Sequence, residues 1–210
     1  MIQQYFQLSV STTNNSFRNV TTEFPVVTLC NFNFFSTING KEYLKSIDKE
    51  FTNSEVYKNM PRDSKSKTKL IQLRLKYAKS ALYKNQTLWK NVSWIRTFGY
   101  ELKDMMLSCY FGSEPCNDTE FEYFFDINYG NCYKYNSGLN SSNQSTSILS
   151  VISPGDTTGL QLGLNVGQED LSNIITYSSG IYLAIHNKSF KSLLPTNGFN
   201  IPTGINTNIG

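Results

Sequence analysis

Apolar and polar positions alternate in two stretches of the chain, and a third stretch is almost wholly apolar. Residues Leu160–Val166 place apolar side chains at every second position, and residues Gly180–His186 repeat that pattern. A period of two predicts half-buried β-strands. The run Phe24–Phe35 is rich in β-branched and aromatic residues, which predicts a buried strand followed by a turn. Pro25 would lie at the start of that strand, where its missing N–H costs least.

Helical spacing of apolar residues occurs in the charged stretches 41–59 and 65–90, which predicts two helices separated near Pro61. A third helix is predicted over residues 97–109. Its apolar face would consist of Phe98, Leu102, Met105, Met106 and Cys109. These helices lie between the predicted strands, so the pattern indicates an α+β chain with helices inserted into a sheet.

The remaining stretches are polar, aromatic or rich in turn residues. The polar composition of residues 1–23 predicts an extended lead-in, and the turn residues within 110–120 predict a loop. Residues Phe121–Tyr135 contain an aromatic cluster, and the Ser- and Asn-rich tract 136–147 predicts a flexible surface loop. The segment 197–210 is turn-rich.

Composition and charge exclude several classes of protein. The 210 residues are 39% hydrophobic and 17% charged, which is typical of a folded chain and not of a disordered one. A net charge of +3 is too small to indicate nucleic-acid binding. Basic residues predominate over residues 41–79, and acidic residues predominate over residues 101–126. This asymmetry predicts either two solvated faces or an electrostatic contact between segments or subunits.

Two features of the sequence, its sequons and its cysteines, favour an oxidising compartment, although its first residues show no signal peptide. No stretch has the ~20 apolar residues of a membrane helix, and the first residues lack a signal-peptide pattern. Eight Asn-x-Ser/Thr sequons are nevertheless candidates for glycosylation: Asn14, Asn19, Asn85, Asn91, Asn117, Asn140, Asn143 and Asn187. The four cysteines are Cys30, Cys109, Cys116 and Cys132. Their spacing argues against zinc and leaves two disulfides or four buried thiols, with the sequons favouring an oxidising compartment.

Catalytic motifs are not found. His186 is the only histidine, and we interpret it as a structural side chain. Asp126 and the pair Glu120 and Glu122 are weighed as acid/base carboxylates, but they are interpreted as exposed residues. The three glycines of residues 159–167 lie in a strand pattern and not in a phosphate-binding loop. We therefore expect no enzyme activity, no cofactor and no metal site.

Several motifs together resemble the degenerin/epithelial sodium channel/acid-sensing ion channel family. FPVVTLCNFNFF (Phe24–Phe35) resembles the family's first palm strand, and FGYELKDMMLSCYFGSEPC (Phe98–Cys116) resembles its finger helix, terminal cysteine and disulfide loop. FFDINYGNCYKYNSG (Phe124–Gly138) resembles the segment that returns to the palm. Later strands and a turn are matched by Gly159–Leu171, Ser179–Asn187 and Gly198–Ile209.

The resemblance implies a fold and its cross-links. It implies disulfides Cys30–Cys132 and Cys109–Cys116, and a palm-type mixed sheet with a helical finger and a small β-ball. Residues 1–40 would be the wrist and first palm strand, and residues 41–109 the finger. Residues 110–158 would be the disulfide loop and return to the palm, and residues 159–210 the β-ball and later palm strands. Glu169 and Asp170 match an acidic pair that helps to sense protons in some members.

The resemblance also implies a function. The family forms homo- or heterotrimeric, amiloride-sensitive sodium channels in the plasma membrane, with two membrane helices in each subunit. This chain would be part of the extracellular side, gated by protons or a peptide, while the pore, the thumb and the membrane helices would lie outside these residues. The alternative is a secreted or surface glycoprotein that binds a ligand or partner, and a hydrolase is the third hypothesis.

Overall fold

The computed structural model describes residues 21–59, 67–84, 92–152, 155, 157–167, 179–189 and 198–209. Within these ranges the chain is a mixture of α-helices and antiparallel β-sheets. The strands are β1 (Thr22–Glu23), β2 (Val26–Asn31), β3 (Met106–Phe111), β4 (Glu114–Pro115), β5 (Phe121–Asp126), β6 (Gly130–Tyr135), β7 (Ser150–Val151), β8 (Leu160–Leu164), β9 (Gly180–His186) and β10 (Phe199–Pro202). The helices are α1 (Ile38–Asn53), α2 (Glu55–Lys58), α3 (Lys67–Lys84), α4 (Val92–Arg96) and α5 (Leu102–Met105).

The main sheet has five strands in the order β10-β9-β2-β6-β5, and β2 lies at its centre. Every residue of β2 is buried, as expected for the apolar run that predicted this strand. Pro25 directly precedes β2, so no ladder hydrogen bond is lost. The predicted strand Gly180–His186 is confirmed as β9, which pairs with β2 along six residue pairs.

A second, three-stranded sheet has the order β4-β3-β8 and packs over one face of the main sheet. The core between them contains Leu29 from β2, Tyr135 from β6 and Met105 from α5. The predicted alternating strand near residue 160 is confirmed as β8, whose partly buried leucines cover this core. Strands β1 and β7 form a separate two-stranded ladder.

The helices α1, α2, α3 and α4 lie between β2 and β3 in the chain and have a core of their own. Thr37 is the N-cap of α1, and its hydroxyl oxygen accepts the N–H of Gly40 at 3.2 Å. Helices α1 and α3 pack through the rings of Phe51 and Tyr77, whose centroids are 5.4 Å apart, and Arg74 of α3 forms an ion pair with Asp48 of α1. The two helices predicted over 41–59 and 65–90 are confirmed within the described residues, whereas Pro61 lies outside them.

The predicted helix over 97–109 is wrong. Only residues 102–105 form a helical turn, and the chain then enters β3, so Cys109 lies on a strand and does not end a helix. For one turn, the spacing of the apolar residues fits either a helix or a strand. Residues 106–111, however, gain β-ladder hydrogen bonds with β8 and β4. Tertiary pairing therefore overrides the local helical pattern.

Smaller differences occur in the predicted loops and turns. Residues 110–120 contain β4 and a short 3-10 helix, Asp118–Glu120, in addition to the predicted loop. The turn-rich segment 197–210 includes β10, which pairs with β9 and forms an edge of the main sheet. Residues 142–147 of the predicted surface loop are exposed, but Asn136 at its start is buried, and a bridge between Leu139 and Ser145 closes the tract. Of the predicted lead-in 1–23, the structure describes only residues 21–23.

Candidate functional site

The helical segment leaves the sheet and returns to it at one place, which we call the junction (residues 36–40 and 96–100). The N–H of Thr37 donates to the carbonyl of Phe98 at 3.1 Å, and the N–H of Tyr100 donates to the hydroxyl of Ser36 at 2.9 Å. Gly40 packs so tightly that a Cβ atom there would lie 2.6 Å from the Phe98 carbonyl oxygen. The outgoing and returning backbones are therefore fastened side by side.

Asn131 of β6 joins this junction to the main sheet. Its Nδ2 donates to the carbonyl of Arg96 at 2.8 Å and to that of Gly99 at 3.0 Å. Its Oδ1 accepts the hydroxyl of Tyr123 at 3.1 Å. Because Asn131 is only 4% exposed, replacement by an apolar residue would leave buried carbonyls without partners.

A ring of polar and aromatic side chains surrounds Asn131. The Arg96 guanidinium lies over the Tyr123 ring, 4.5 Å from its centroid, and its Nε lies 3.6 Å from Glu101 Oε1. Tyr133 donates its hydroxyl to the carbonyl of Tyr100 at 3.1 Å. Burial raises the pKa of Tyr123 to about 12 and raises that of Tyr133 further, so both hydroxyls stay protonated at neutral pH.

The cluster around Asn131 is not predicted by the sequence pattern, although the sequence contains one signal for Asn131 itself. Asparagine is disfavoured in strands, and here it stands beside Cys132 in a strongly aromatic strand. A polar side chain at a buried strand position implies partners from another segment. The sequence does not show that those partners are the carbonyls of residues 96 and 99, about 30 positions earlier.

Both disulfides have the pairing that the resemblance implies. Cys30 and Cys132 are directly opposite each other on β2 and β6, with Cα atoms 4.3 Å apart, and both are fully buried. Cys109 and Cys116 close the turn between β3 and β4, with Cα atoms 5.0 Å apart. The first bond links the strand before the helices to the strand after them, and the second closes a local loop.

Four of the predicted glycosylation sequons lie in the described surface: Asn117, Asn140, Asn143 and Asn187. In three of them the asparagine Oδ1 accepts the N–H of the sequon's own Ser or Thr, at 2.9–3.0 Å. The loops of Asn117 and Asn140 touch, since Ser141 N–H donates to the carbonyl of Thr119 at 2.9 Å. The other four sequons, and the acidic pair, lie outside the described residues: Asn14, Asn19, Asn85, Asn91, Glu169 and Asp170.

The carboxylates that were weighed as acid/base groups have local structural contacts. Glu120 accepts the N–H of Asn117 at 3.1 Å, and Glu122 lies 3.8 Å from Lys134 Nζ. Asp126 accepts the N–H of Asn128 at 2.7 Å within a turn. His186 Nε2 and the Thr28 hydroxyl are hydrogen-bonded at 2.9 Å. His186 agrees with its interpretation as a structural side chain, whereas the three carboxylates are half-buried and not exposed as predicted.

The described ranges contain no group of three His, Cys, Asp or Glu side chains able to hold a metal ion. None of the helices described there has both the length and the apolar character needed to cross a membrane.

The fold and the cross-links define a disulfide-bonded α+β domain whose helical segment is anchored to an antiparallel sheet. Disulfides of this kind are typical of proteins that fold in an oxidising compartment. The family model of the amiloride-sensitive sodium channel matches residues 1–210. The chain belongs to the amiloride-sensitive sodium channel family.

Curated relatives agree with this assignment. The chain is 37% identical over 112 residues to the epithelial sodium channel subunit beta of Neoceratodus forsteri, which covers 53% of this chain and 16% of the relative. It is 34% identical over 111 residues to the human subunit beta, covering 53% of the chain and 17% of the relative. It is 34% identical over 112 residues to the subunit alpha of Xenopus laevis, with the same two shares. The matched segments span about a sixth of these relatives.

Proposed function

We propose that this chain is part of the extracellular domain of an amiloride-sensitive sodium channel subunit, which assembles with two other subunits in the plasma membrane. The match of the family model to all 210 residues carries this proposal. Two disulfides support an extracellular position, because the cytosol keeps such thiols reduced. Sodium would pass through a pore formed by membrane helices outside these residues.

The described elements suggest how the parts correspond to the family's hand-shaped domain. The five-stranded sheet centred on β2 corresponds to the palm, and the helices α1 to α4 to the finger. The sheet β4-β3-β8 corresponds to the β-ball. In this assignment the junction is the base of the finger, and β3 belongs to the β-ball even though its sequence resembles the end of a finger helix.

A sensing role follows from the way in which the finger is attached. A stimulus that displaces α1 or α4 would move the junction, and Asn131 would pass that movement to β6 of the palm. Cys30–Cys132 then couples β6 to the central strand β2. The gating ligand in this proposal is an extracellular proton or peptide, with Glu169 and Asp170 as the proton-sensing pair. Replacing both acids in the complete channel should alter its acid response, and an unchanged response would exclude the pair.

Channel activity is tested by expressing the complete subunit in oocytes, alone and together with partner subunits. We expect a sodium current that amiloride blocks. Asn131→Leu should change the response to the stimulus, whereas Asn200→Leu, at an exposed position of β10, should not. Complete absence of amiloride-sensitive current, with the subunit at the cell surface, would favour the alternative of a surface glycoprotein that binds a ligand.

The extracellular position has a separate test at Asn117. Asn117→Asp keeps the oxygen that accepts the Thr119 N–H and removes the nitrogen that carries a glycan. We expect this variant to migrate faster on a gel than the wild type, by the shift that one glycan causes and that glycosidase removes. Thr119→Ser should migrate like the wild type, because the sequon is retained. If no described sequon of the complete subunit carries a glycan, this support for an extracellular position is lost.

A further inference from the structure

The helix α3 has an unusual balance of charge. Its 18 residues include six basic residues and no acidic residue. Arg74 is paired with Asp48 of α1. Two of the remaining basic residues, Lys76 and Lys79, instead line a groove between α3 and the turn that joins β5 to β6.

This groove has a volume of about 480 Å³, which is within the range of small-ligand sites. The helix contributes Leu75, Lys76, Lys79 and Tyr83, and the turn contributes Ile127 and Asn128. Apolar and aromatic side chains therefore stand beside two amines. Such a lining matches a ligand that has one anionic end and one apolar end.

Lys79 is the best-positioned cation of the groove. Its ammonium donates to the carbonyl of Asn128 and lies 5.3 Å from the centroid of the Phe34 ring. An ammonium has three donors, so hydrogen-bonding capacity remains for an anion. Burial lowers the pKa of Lys79 to about 8, although the nearby Asp126 carboxylate acts in the opposite direction. The amine is still mainly protonated at neutral pH, and it is partly removed from water, which strengthens its attraction to an anion.

We propose that the groove between α3 and the β5–β6 turn binds a small amphipathic carboxylate. Its anionic group lies at Lys79, and its apolar part packs against Leu75, Tyr83 and Ile127. Asp126 repels an anion, but its Oδ1 already accepts the N–H groups of Asn128 and Tyr129 within the turn. The inference goes beyond sodium conduction, and it does not require that the ligand open the channel.

Binding is measured on the purified complete subunit, with 4-fluorophenylacetate as the probe and fluorine NMR line broadening as the readout. We expect saturable binding, a loss of at least about tenfold in affinity for Lys79→Gln, and retention for Lys79→Arg, because a charge-assisted contact is removed only in the first variant. Lys84→Gln is the matched control, since Lys84 lies on the same helix but does not line the groove. The cationic analogue 4-fluorophenethylamine should not bind.

A second measurement does not depend on how well Lys79→Gln folds. Acetylation of the wild-type lysines by a water-soluble ester, read by mass spectrometry, should be slowed at Lys79 by the probe and unchanged at Lys84. Equal affinity of Lys79→Gln and wild type, or absence of protection at Lys79, would overturn the proposal. Both readouts are independent of current, so their failure is distinguishable from failure of the channel function.

Discussion

Two buried tyrosines of β6 differ in whether their hydroxyl is hydrogen-bonded. Tyr133 donates its hydroxyl to the Tyr100 carbonyl, whereas the hydroxyl of Tyr135 is buried without a hydrogen-bond partner in the described part of the chain. Tyr135 is 1% exposed and packs against Phe121. A buried hydroxyl without a partner destabilises the fold by about 1–3 kcal/mol relative to a fully satisfied one.

Tyr135→Phe should therefore leave the thermal stability of the complete subunit unchanged or raise it, by up to about 1 kcal/mol. Tyr133→Phe is the matched substitution and should lower stability by about 1 kcal/mol, because the Tyr100 carbonyl loses the nearer of its two donors, the Tyr133 hydroxyl and Asn131 Nδ2. The comparison is made by thermal melting of both variants. A larger loss for Tyr135→Phe than for Tyr133→Phe would show that the Tyr135 hydroxyl has a partner in the assembled protein.

Single residues were predictable from the sequence only where a local motif defines them. The sequons are such motifs, and those at Asn117, Asn143 and Asn187 lie in exposed positions, as a surface site requires. Asn131 has no local motif, because its partners come from a segment that approaches only in the folded chain. The same holds for Lys79, whose environment depends on the distant Asn128.

At the scale of elements, α1 contains a glycine where helix propensity would favour alanine by about 1 kcal/mol. A Cβ atom at Gly40 would lie 2.6 Å from the Phe98 carbonyl oxygen and 2.9 Å from the Phe35 Cα. Both are backbone atoms, the first in the junction and the second directly before it, and neither can rotate away. Close packing of the two segments therefore requires glycine at this position.

Gly40→Ala should accordingly destabilise the protein by about 1–3 kcal/mol, against the direction that helix propensity predicts. Asn39→Ala is the control, since Asn39 is exposed in the same turn of α1 and should be neutral or slightly stabilising. Chemical denaturation of the complete subunit distinguishes the two outcomes. An increase in stability for Gly40→Ala would mean that the junction opens readily.

Strands with a clear pattern were predicted correctly, and the segment after Phe98 was not. The strands β2, β8 and β9 show runs or alternation over five or more residues, and each of them forms a strand. In β9 the burial does not follow the alternation, because Tyr182 and Ala184 are buried whereas Ile185 is exposed. Residues 97–109 have apolar side chains at spacings that suit a helix, yet the bulge between Met106 and Ser108 shows that the chain changes conformation there. Pairing with β8 decides that change, and β8 is about 50 residues away in sequence.

At the scale of the whole molecule, the strand order β10-β9-β2-β6-β5 is not sequential. The local pattern predicts the strands but contains no information on which of them are neighbours. The family resemblance supplies part of it, because the implied bond between Cys30 and Cys132 brings β2 and β6 close together, and in the structure these strands are neighbours. That bond encloses the helices α1 to α5, the junction and β3 to β5 in one covalent loop.

The two disulfides should consequently differ in their contribution to stability. The bonded cysteines are 102 residues apart in the first and 7 apart in the second. In the chain-entropy model these separations correspond to about 4–5 and about 2–2.5 kcal/mol. Cys30 and Cys132 are also fully buried at the centre of the sheet, so their removal adds a packing defect.

We therefore expect the double variant Cys30→Ala with Cys132→Ala to lose about 2 kcal/mol more stability than Cys109→Ala with Cys116→Ala. Thermal melting of the complete subunit and its amount at the cell surface are the measurements, and both double variants avoid an unpaired thiol. A greater loss from the short loop would contradict the expectation. It would place the main cross-link of the folded domain in the β3–β4 turn, and the coupling of the helical segment to the main sheet would then depend on the Asn131 hydrogen bonds.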